Sequence, residues 1–333
     1  MFSTPRYLAA AGALILLAAG CAGPSQPGSS PVDPPAGTAA ADYPVTIDNC
    51  GTPVTFEAAP QRVVTIKSTA TEMLLSLGLG SRIVGSAFAD GPLPDAYADA
   101  RIPVLSDQLP GTEATLALEP DLVYGGWESN FSAEGAGDRA SLEALDVRTY
   151  VSPAACKAEG YKPDPLTFDS IFNDITEMGR IFGVEARADL VVSQEADKLA
   201  GITPDGSGLS ALWYSSGEKT PYVGAGTGAP QLLMETVGLR NVAAGIDDSW
   251  SPMSWEAVAA ADPDVIVLVD AAWNTAEQKI DHLTANPATA QLRAVRESRY
   301  LTVPFAGGEA GVRSVDTALS LEDQLRQLDP LAP

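Results

Sequence analysis

Residues 118–129 read LEPDLVYGGWES, and residues 260–274 read AADPDVIVLVDAAWN. Each stretch runs from an acidic residue through Pro-Asp, an apolar run and two small residues to a tryptophan: Glu119, Pro120, Asp121 and Trp127 in the first, Asp262, Pro263, Asp264 and Trp273 in the second. The doubling continues outward in the same order. RVVTI (62–66) precedes a helical pattern ending in LLSLGLGSRIVG (74–85), and ALWYSS (211–216) precedes one ending in LLMETVGLRNVAAG (232–245). VRTYVSP (147–153) is answered by SRYLTVPF (298–305). Within each half, short β-branched runs alternate with segments of helical period, the mark of βα units around a parallel sheet. The expected fold is therefore α/β, with two Rossmann-like lobes of parallel sheet over residues 43–165 and 200–333.

Between the lobes, LTFDSIFNDITEMGRIFG puts Phe168, Ile171, Phe172, Ile175, Met178 and Phe182 on one helical stripe, with Thr167 or Asp169 as its cap. EARADLVVSQEADKLA (185–200) continues it, so residues 166–199 form a helical connector. Open parallel sheets bind ligands beyond the carboxyl ends of their strands. Two such lobes facing each other make one cleft, and the repeated sentence places Trp127 and Trp273 on its two sides.

The 333 residues are 45% hydrophobic, enough for two cores of ~150 residues each. The 43 acids against 20 bases give a net charge of −23. Such a surface repels phosphate backbones and anionic lipid headgroups, which argues against a nucleic-acid partner. The opening MFSTPRYLAAAGALILLAAGC has one positive charge, Arg6, and an apolar stretch too short for a membrane span, so residues 1–20 read as a secretory signal. The ending resembles a bacterial lipobox, although Ala18 stands where its leucine is usual. That resemblance implies a lipidated Cys21 and an extracytoplasmic protein on the outer face of the cell membrane, touching it only through the anchor. Residues 21–42, rich in Pro, Gly, Ser and Ala, read as a flexible tether. With Cys21 lipidated, Cys50 and Cys156 remain as an even pair in an oxidising compartment. A disulfide between them is expected, two separate buried thiols being the alternative.

Collecting the loops that follow strands gives the expected ligand contacts. They are Lys67 and Ser68, with Thr69–Glu72 as a capping-box pattern; Phe88 and Asp90; Trp127, Glu128 and Asn130; Tyr214 and Ser215; Trp250; Trp273 and Asn274; and Phe305, Glu309 and Arg313. Aromatics with a few polar groups suit a concave small-molecule site. The GAGTGAP loop (224–230) lacks phosphate-loop and dinucleotide spacing, and reads as a tight loop before a helix. Catalysis has little support. His282, the sole histidine, lies in an amphipathic segment where packing or a surface role is expected, and no G-x-S-x-G elbow is present. One histidine cannot supply a histidine-rich metal site, and a bare ion would have to rely on carboxylates; an intact chelate or an organic molecule fits the aromatics better, and no metal or cofactor of the protein's own is expected.

PQRVVTIKSTATEMLLSLGLGSRIVG, LALEPDLVYGG, LLMETVGLRNVA and SWEAVAAADPDVIVL, in this order, resemble the substrate-binding proteins of ABC importers for iron–siderophore complexes and cobalamin. The resemblance implies two lobes bridged by a long helix, limited closure, and a monomer serving a permease and its ATPase. It also implies an acidic docking residue on each lobe: Glu235 on the second, and Glu134, with Asp138 in reserve, on the first. DNCG, FADGPLP and YVGAGTGAPQ look like an actinobacterial subgroup proposed to carry a deazaflavin coenzyme precursor. A ferric siderophore, a corrinoid and such a precursor all stay open as ligands, with Lys67 or Arg313 as the cation for an acidic group.

Overall fold

The structure, a computed structural model, describes residues 42–162 and 165–328. The expected signal segment, Cys21 and all of the tether except Asp42 lie outside the described residues.

An antiparallel hairpin of β1 (Val45–Asn49) and β2 (Thr52–Phe56) comes first. The first lobe then supplies β3 (Val63–Ile66), β4 (Ile83–Ala87), β5 (Val104–Ser106), β6 (Leu122–Gly125) and β7 (Arg148–Val151). They form a parallel sheet in the order β5-β4-β3-β6-β7. Every residue of β3 and β6 is buried. That is why these strands read as continuous apolar runs rather than alternating ones.

The second lobe contains β8 (Ser210–Ser216), β9 (Tyr222–Gly224), β10 (Arg240–Asn241), β11 (Trp250–Pro252), β12 (Val265–Asp270) and β13 (Tyr300–Pro304). Its order is β11-β9-β8-β12-β13, with β10 also paired to β8. The expected parallel sheet is present, and it carries in addition an antiparallel edge. β8, β10, β12 and β13 are parallel, but β9 runs antiparallel to β8 and β11 antiparallel to β9. The cause is a tight reversal after β8. Gly217 has φ 84°, and a Cβ there would come 2.2 Å from the Thr220 carbonyl oxygen, so the chain folds straight back as a hairpin.

The doubled Pro-Asp has the same structural job in both lobes. The Asp121 carboxylate accepts the backbone N–H groups of Gln61 and Arg62, at 2.7 and 2.9 Å, just before β3. The Asp264 carboxylate accepts the N–H and hydroxyl of Ser210, at 2.8 and 2.7 Å, where β8 begins. The residue before each proline is left-handed, with φ 45° at Glu119 and 39° at Asp262. The motif therefore ties the amino end of a strand to that of its central neighbour, at the pole opposite the tryptophans.

The helix Phe168–Phe182 is capped by Thr167, whose hydroxyl accepts the Ser170 N–H, and ends at Gly183 with φ 65°. Phe168 and Ile171 belong to the core of the second lobe, while Ile175, Met178, Ile181 and Phe182 belong to that of the first. Phe172 packs against both. The helix Glu185–Ala200 packs along it so closely that a Cβ on Gly179 would lie 2.4 Å from that of Ala188. Among the described residues, no helix is long and apolar enough to cross a membrane.

Cys50 and Cys156 form the expected disulfide, with Cα atoms 5.3 Å apart. It joins the hairpin to the segment after β7. The Asn49 side chain supports it, accepting the Val151 N–H and donating to the Val151 carbonyl, both at 2.8 Å. The bond closes a loop of 106 residues in sequence, so the double variant Cys50→Ser/Cys156→Ser is expected to lose up to about 4–5 kcal/mol in urea unfolding.

On the connecting helix, burial, with Glu177 alongside, pushes the Asp174 carboxyl up to about 8. The folded state thus holds this proton more tightly than the unfolded chain does. Its contribution to stability is greatest near and below the ordinary Asp range and fades as pH rises to about 8. Thermal melts of the wild type and Asp174→Asn should therefore lie closest at about pH 3, below the ordinary Asp range, and diverge toward pH 8, the Asn variant being the more stable there.

Candidate functional site

A cavity of about 430 Å³ opens between the lobes at the carboxyl ends of the central strands. Trp127, Glu128, Ser215, Trp250, Trp273, Phe305 and Glu309 line it, all of them expected from their place after strands or beside the second Pro-Asp unit. Trp127 follows β6 and Trp273 follows β12, so the two copies of the sentence do meet at one cavity. They are not equivalent in position. Trp127 lies inside the cleft, its ring 6.4 Å from that of Phe305, whereas Trp273 is 62% exposed at the mouth.

Beneath Trp127 lies a buried ion pair. The Lys67 ammonium bonds the Asp90 carboxylate, with the two side chains 2% and 5% exposed. The ammonium also sits 3.7 Å from the centroid of the Trp127 ring, 4.2 Å from Phe88 and 5.1 Å from Phe305. A buried cation needs an anionic partner to offset its desolvation, and the aromatic faces around it add further stabilisation. Ser68 closes the group: its hydroxyl accepts the Asp90 N–H at 2.9 Å, and its own N–H donates to the carboxylate at 3.2 Å. The backbone is bent to suit, with Lys67 at φ 79° and Phe88 at φ 53°. Gly126 makes the close approach possible, since a Cβ there would lie 2.7 Å from Lys67 Cβ. Lys67, Ser68, Phe88 and Asp90 therefore stand behind the cavity wall rather than on it.

Side chains bridge the two lobes across the cleft. Trp127 Nε1 donates to Glu309 Oε2 at 3.0 Å. Arg313 makes a bidentate pair with Glu72, at 2.5 and 2.6 Å, and donates to the Pro92 carbonyl at 2.9 Å. The expected capping box at Thr69–Glu72 does not form. Lys67 occupies the position before the helix Ser68–Ser76, and Glu72 is drawn into the core-side pair with Arg313. Arg313 is thus a bridge between lobes and does not line the cavity.

Burial raises the carboxyls of Glu72, Asp90 and Glu309 above the usual range, against the pull of Arg313 on the first and Lys67 on the second. Glu309 differs from the other two. It is opposed only by its hydrogen bond from Trp127 and by Lys67 and Lys157 at a distance, with Asp90 pushing it further up.

Three more expected contacts take other places. Asn130 is buried, and its Oδ1 accepts the Trp127 N–H at 2.9 Å, fixing the turn that aims the tryptophan. Tyr214 points to the far side of its sheet, because successive residues of a strand face opposite ways. It packs edge-on against Trp255 and donates to the Gly217 carbonyl at 3.0 Å. Asn274 offers its carbonyl to the buried Lys279 ammonium at 2.5 Å and is not on the cavity wall. His282 packs beside Trp255, with ring centroids 6.0 Å apart. In the GAGTGAP loop, the N–H groups of Ala225, Gly226 and Thr227 are taken by the carbonyls of Ser249, Ile246 and Asp248, which leaves a tight loop.

Thr69, read only as part of a capping box, also lines the cavity, as do Ser152, Ala154, Ala155, Lys157, Leu166, Tyr222 and Ser249, which were not singled out by sequence. Tyr222 stacks on Trp250 at 6.3 Å and 10° between planes, its position set by the β8–β9 hairpin. Residues 152–157 reach the wall through the disulfide, and the Lys157 N–H donates to Glu128 at 2.5 Å. The adjacent cysteine was the signal available for that segment.

The chain belongs to the periplasmic binding protein family, whose pattern matches residues 63–306. It is 24% identical over 294 residues to the uncharacterized ABC transporter substrate-binding lipoprotein YvrC of Bacillus subtilis, covering 85% of this chain and 86% of that one. It is 26% identical over 250 residues to a cobalamin-binding protein of Halobacterium salinarum, covering 70% of this chain and 62% of the relative. Among solved structures it is similar to that of an ABC-type Fe3+-hydroxamate transport system from Saccharomonospora viridis. There the TM-score is 0.71 and the identity 26%, with 85% of this chain and 99% of that one covered.

Replacing Lys67 with methionine would leave the Asp90 carboxylate buried without its cation. Lys67→Met is expected to cost about 3–5 kcal/mol in denaturant unfolding, with much of the loss recovered in Lys67→Met/Asp90→Leu. A cost below about 1 kcal/mol for the single variant would show that Asp90 is solvated and the pair dispensable.

Proposed function

We propose that the protein captures a small organic molecule or metal chelate in the interlobe cavity and hands it to the permease and ATPase of an ABC importer. The observation that carries this reading is the cavity itself, which sits where two α/β lobes bring their strand ends together and is walled by Trp127, Trp250, Trp273, Tyr222 and Phe305. Ligand sites of this kind are concave, apolar and aromatic, with few polar groups. The ligand is drawn from ferric siderophores, corrinoids and deazaflavin precursors. The cobalamin-binding relative and the Fe3+-hydroxamate system support the first two.

The protein acts as a monomer outside the cytoplasm, held by a lipid on Cys21, in keeping with the lipoprotein named among its relatives. Docking uses Glu134 on the first lobe and Glu235 on the second, both of which are exposed. Asp138 is the weaker choice, because its carboxylate caps the helix Arg139–Glu143 by accepting the Ser141 N–H at 2.9 Å.

Tryptophan fluorescence of a chain starting at Asp42, titrated with ferric hydroxamates, ferric catecholates, cobalamin and phosphorylated deazaflavin precursors, tests the capture step. One of them is expected to quench saturably, with Kd raised at least about tenfold in both Trp127→Phe and Trp273→Phe. Equal binding by both variants would remove the cavity from the mechanism. For docking, Glu134→Lys and Glu235→Lys should lower ligand uptake by cells while leaving Kd for the isolated protein unchanged.

A further inference from the structure

The cleft contains strong cations, but those inside it are already answered by acids of the same chain. Lys67 is closed off by Asp90 behind the Trp127 ring. Arg313 is held by both oxygens of Glu72 and by the Pro92 carbonyl. Lys157 stands at the rim, 61% exposed, with its ammonium 3.9 Å from Asp248. Glu309 is the opposite case. It lines the cavity and accepts one hydrogen bond, from Trp127 Nε1, and no basic side chain among the described residues pairs with it. Glu128, the other acid of the wall, is engaged by the Lys157 N–H.

The inner cavity thus offers flat aromatic faces and an unmatched acceptor, and no unpaired donor of positive charge. We propose that the group seated there is a planar aromatic ring whose N–H donors or positive charge point at Glu309, and that any acidic part of the ligand is left at the mouth beside Lys157. This rests on the capture reading above and narrows its ligand class. A ring stacked between Trp127, Trp250 and Phe305 loses water on both faces, and its donor edge then gains a charge-assisted hydrogen bond in a low-dielectric site. An anionic chelate or phosphate in the same place would meet Glu309 with no cation to offset it, which is costly in a desolvated pocket.

Three acridines of similar shape separate charge from stacking: proflavine, a cation with two amino donors; acridine, neutral and without donors; and acridine-9-carboxylate, an anion. Tryptophan quenching is read in about 0.3 M salt, which screens attraction to the acidic surface. Proflavine is expected to bind about tenfold or more tighter than acridine, and acridine-9-carboxylate more weakly than either. Glu309→Gln keeps an acceptor for Trp127 Nε1 but not the charge. It should remove most of the proflavine advantage and leave acridine unchanged. Trp127→Phe should weaken all three, which marks the cavity as the place of binding.

The proposal is overturned if acridine-9-carboxylate binds as well as proflavine, if Glu309→Gln keeps the preference, or if no acridine quenches. In that last case, saturable binding of a ferric siderophore or cobalamin, weakened by Trp127→Phe, would leave the capture reading intact and overturn only the ring class. Binding of none of these molecules would overturn both.

Discussion

The ion pair of Lys67 with Asp90 is the constraint around which the cleft is arranged. Three strand ends of the first lobe meet at it: β3 supplies Lys67, β4 supplies Phe88 and Asp90, and β6 supplies Trp127. Phe305 of the second lobe comes to the same ammonium from across the gap. A charge in so dry a place has to be matched in both sign and geometry. That requirement explains the left-handed backbone at Lys67 and Phe88 and the absence of a side chain at residue 126. The orientation of Trp127, and through its indole N–H the position of Glu309, follow from the same arrangement.

Much of this was legible in the sequence, and the portions that were not share a physical reason. Period and repetition reveal which segments are strands and which follow strands, so Trp127, Trp273, Phe305 and Glu309 could be placed at the cavity from order alone. The two-core stripe of the helix Phe168–Phe182 was readable because its apolar residues recur at helical spacing. Sequence does not reveal who partners whom. Lys67 and Arg313 look like ligand cations until Asp90 and Glu72 arrive from elsewhere in the chain. Tyr214 follows its strand pattern, but a one-residue difference in register decides between the cleft and the opposite face of the sheet. The β8–β9 reversal, which brings Tyr222 to the wall, depends on a single glycine conformation inside a loop that otherwise resembles its neighbours.

The two copies are alike at one end of each lobe and unlike at the other. At the amino ends of the strands, Asp121 and Asp264 make equivalent bonds to the start of the central strand, and Glu119 and Asp262 share an unusual backbone conformation. At the carboxyl ends the copies differ. The first has a buried cation under its tryptophan, while the second sets Trp273 in the open with Lys279 bound to the Val269 and Asn274 carbonyls behind it. The frameworks are thus alike at one end, while at the other they present two unlike walls to the cavity.

The helix Phe168–Phe182 also bears on how the molecule comes apart. Its first turns belong to one core and its later turns to the other, and the Gly179–Ala188 contact fastens it to the helix that follows. Unravelling either lobe alone would strip apolar side chains that the other lobe also uses to hold the helix in register. Two lobes that resemble separate domains in topology should therefore come apart as one cooperative unit, in a single melting transition in place of two.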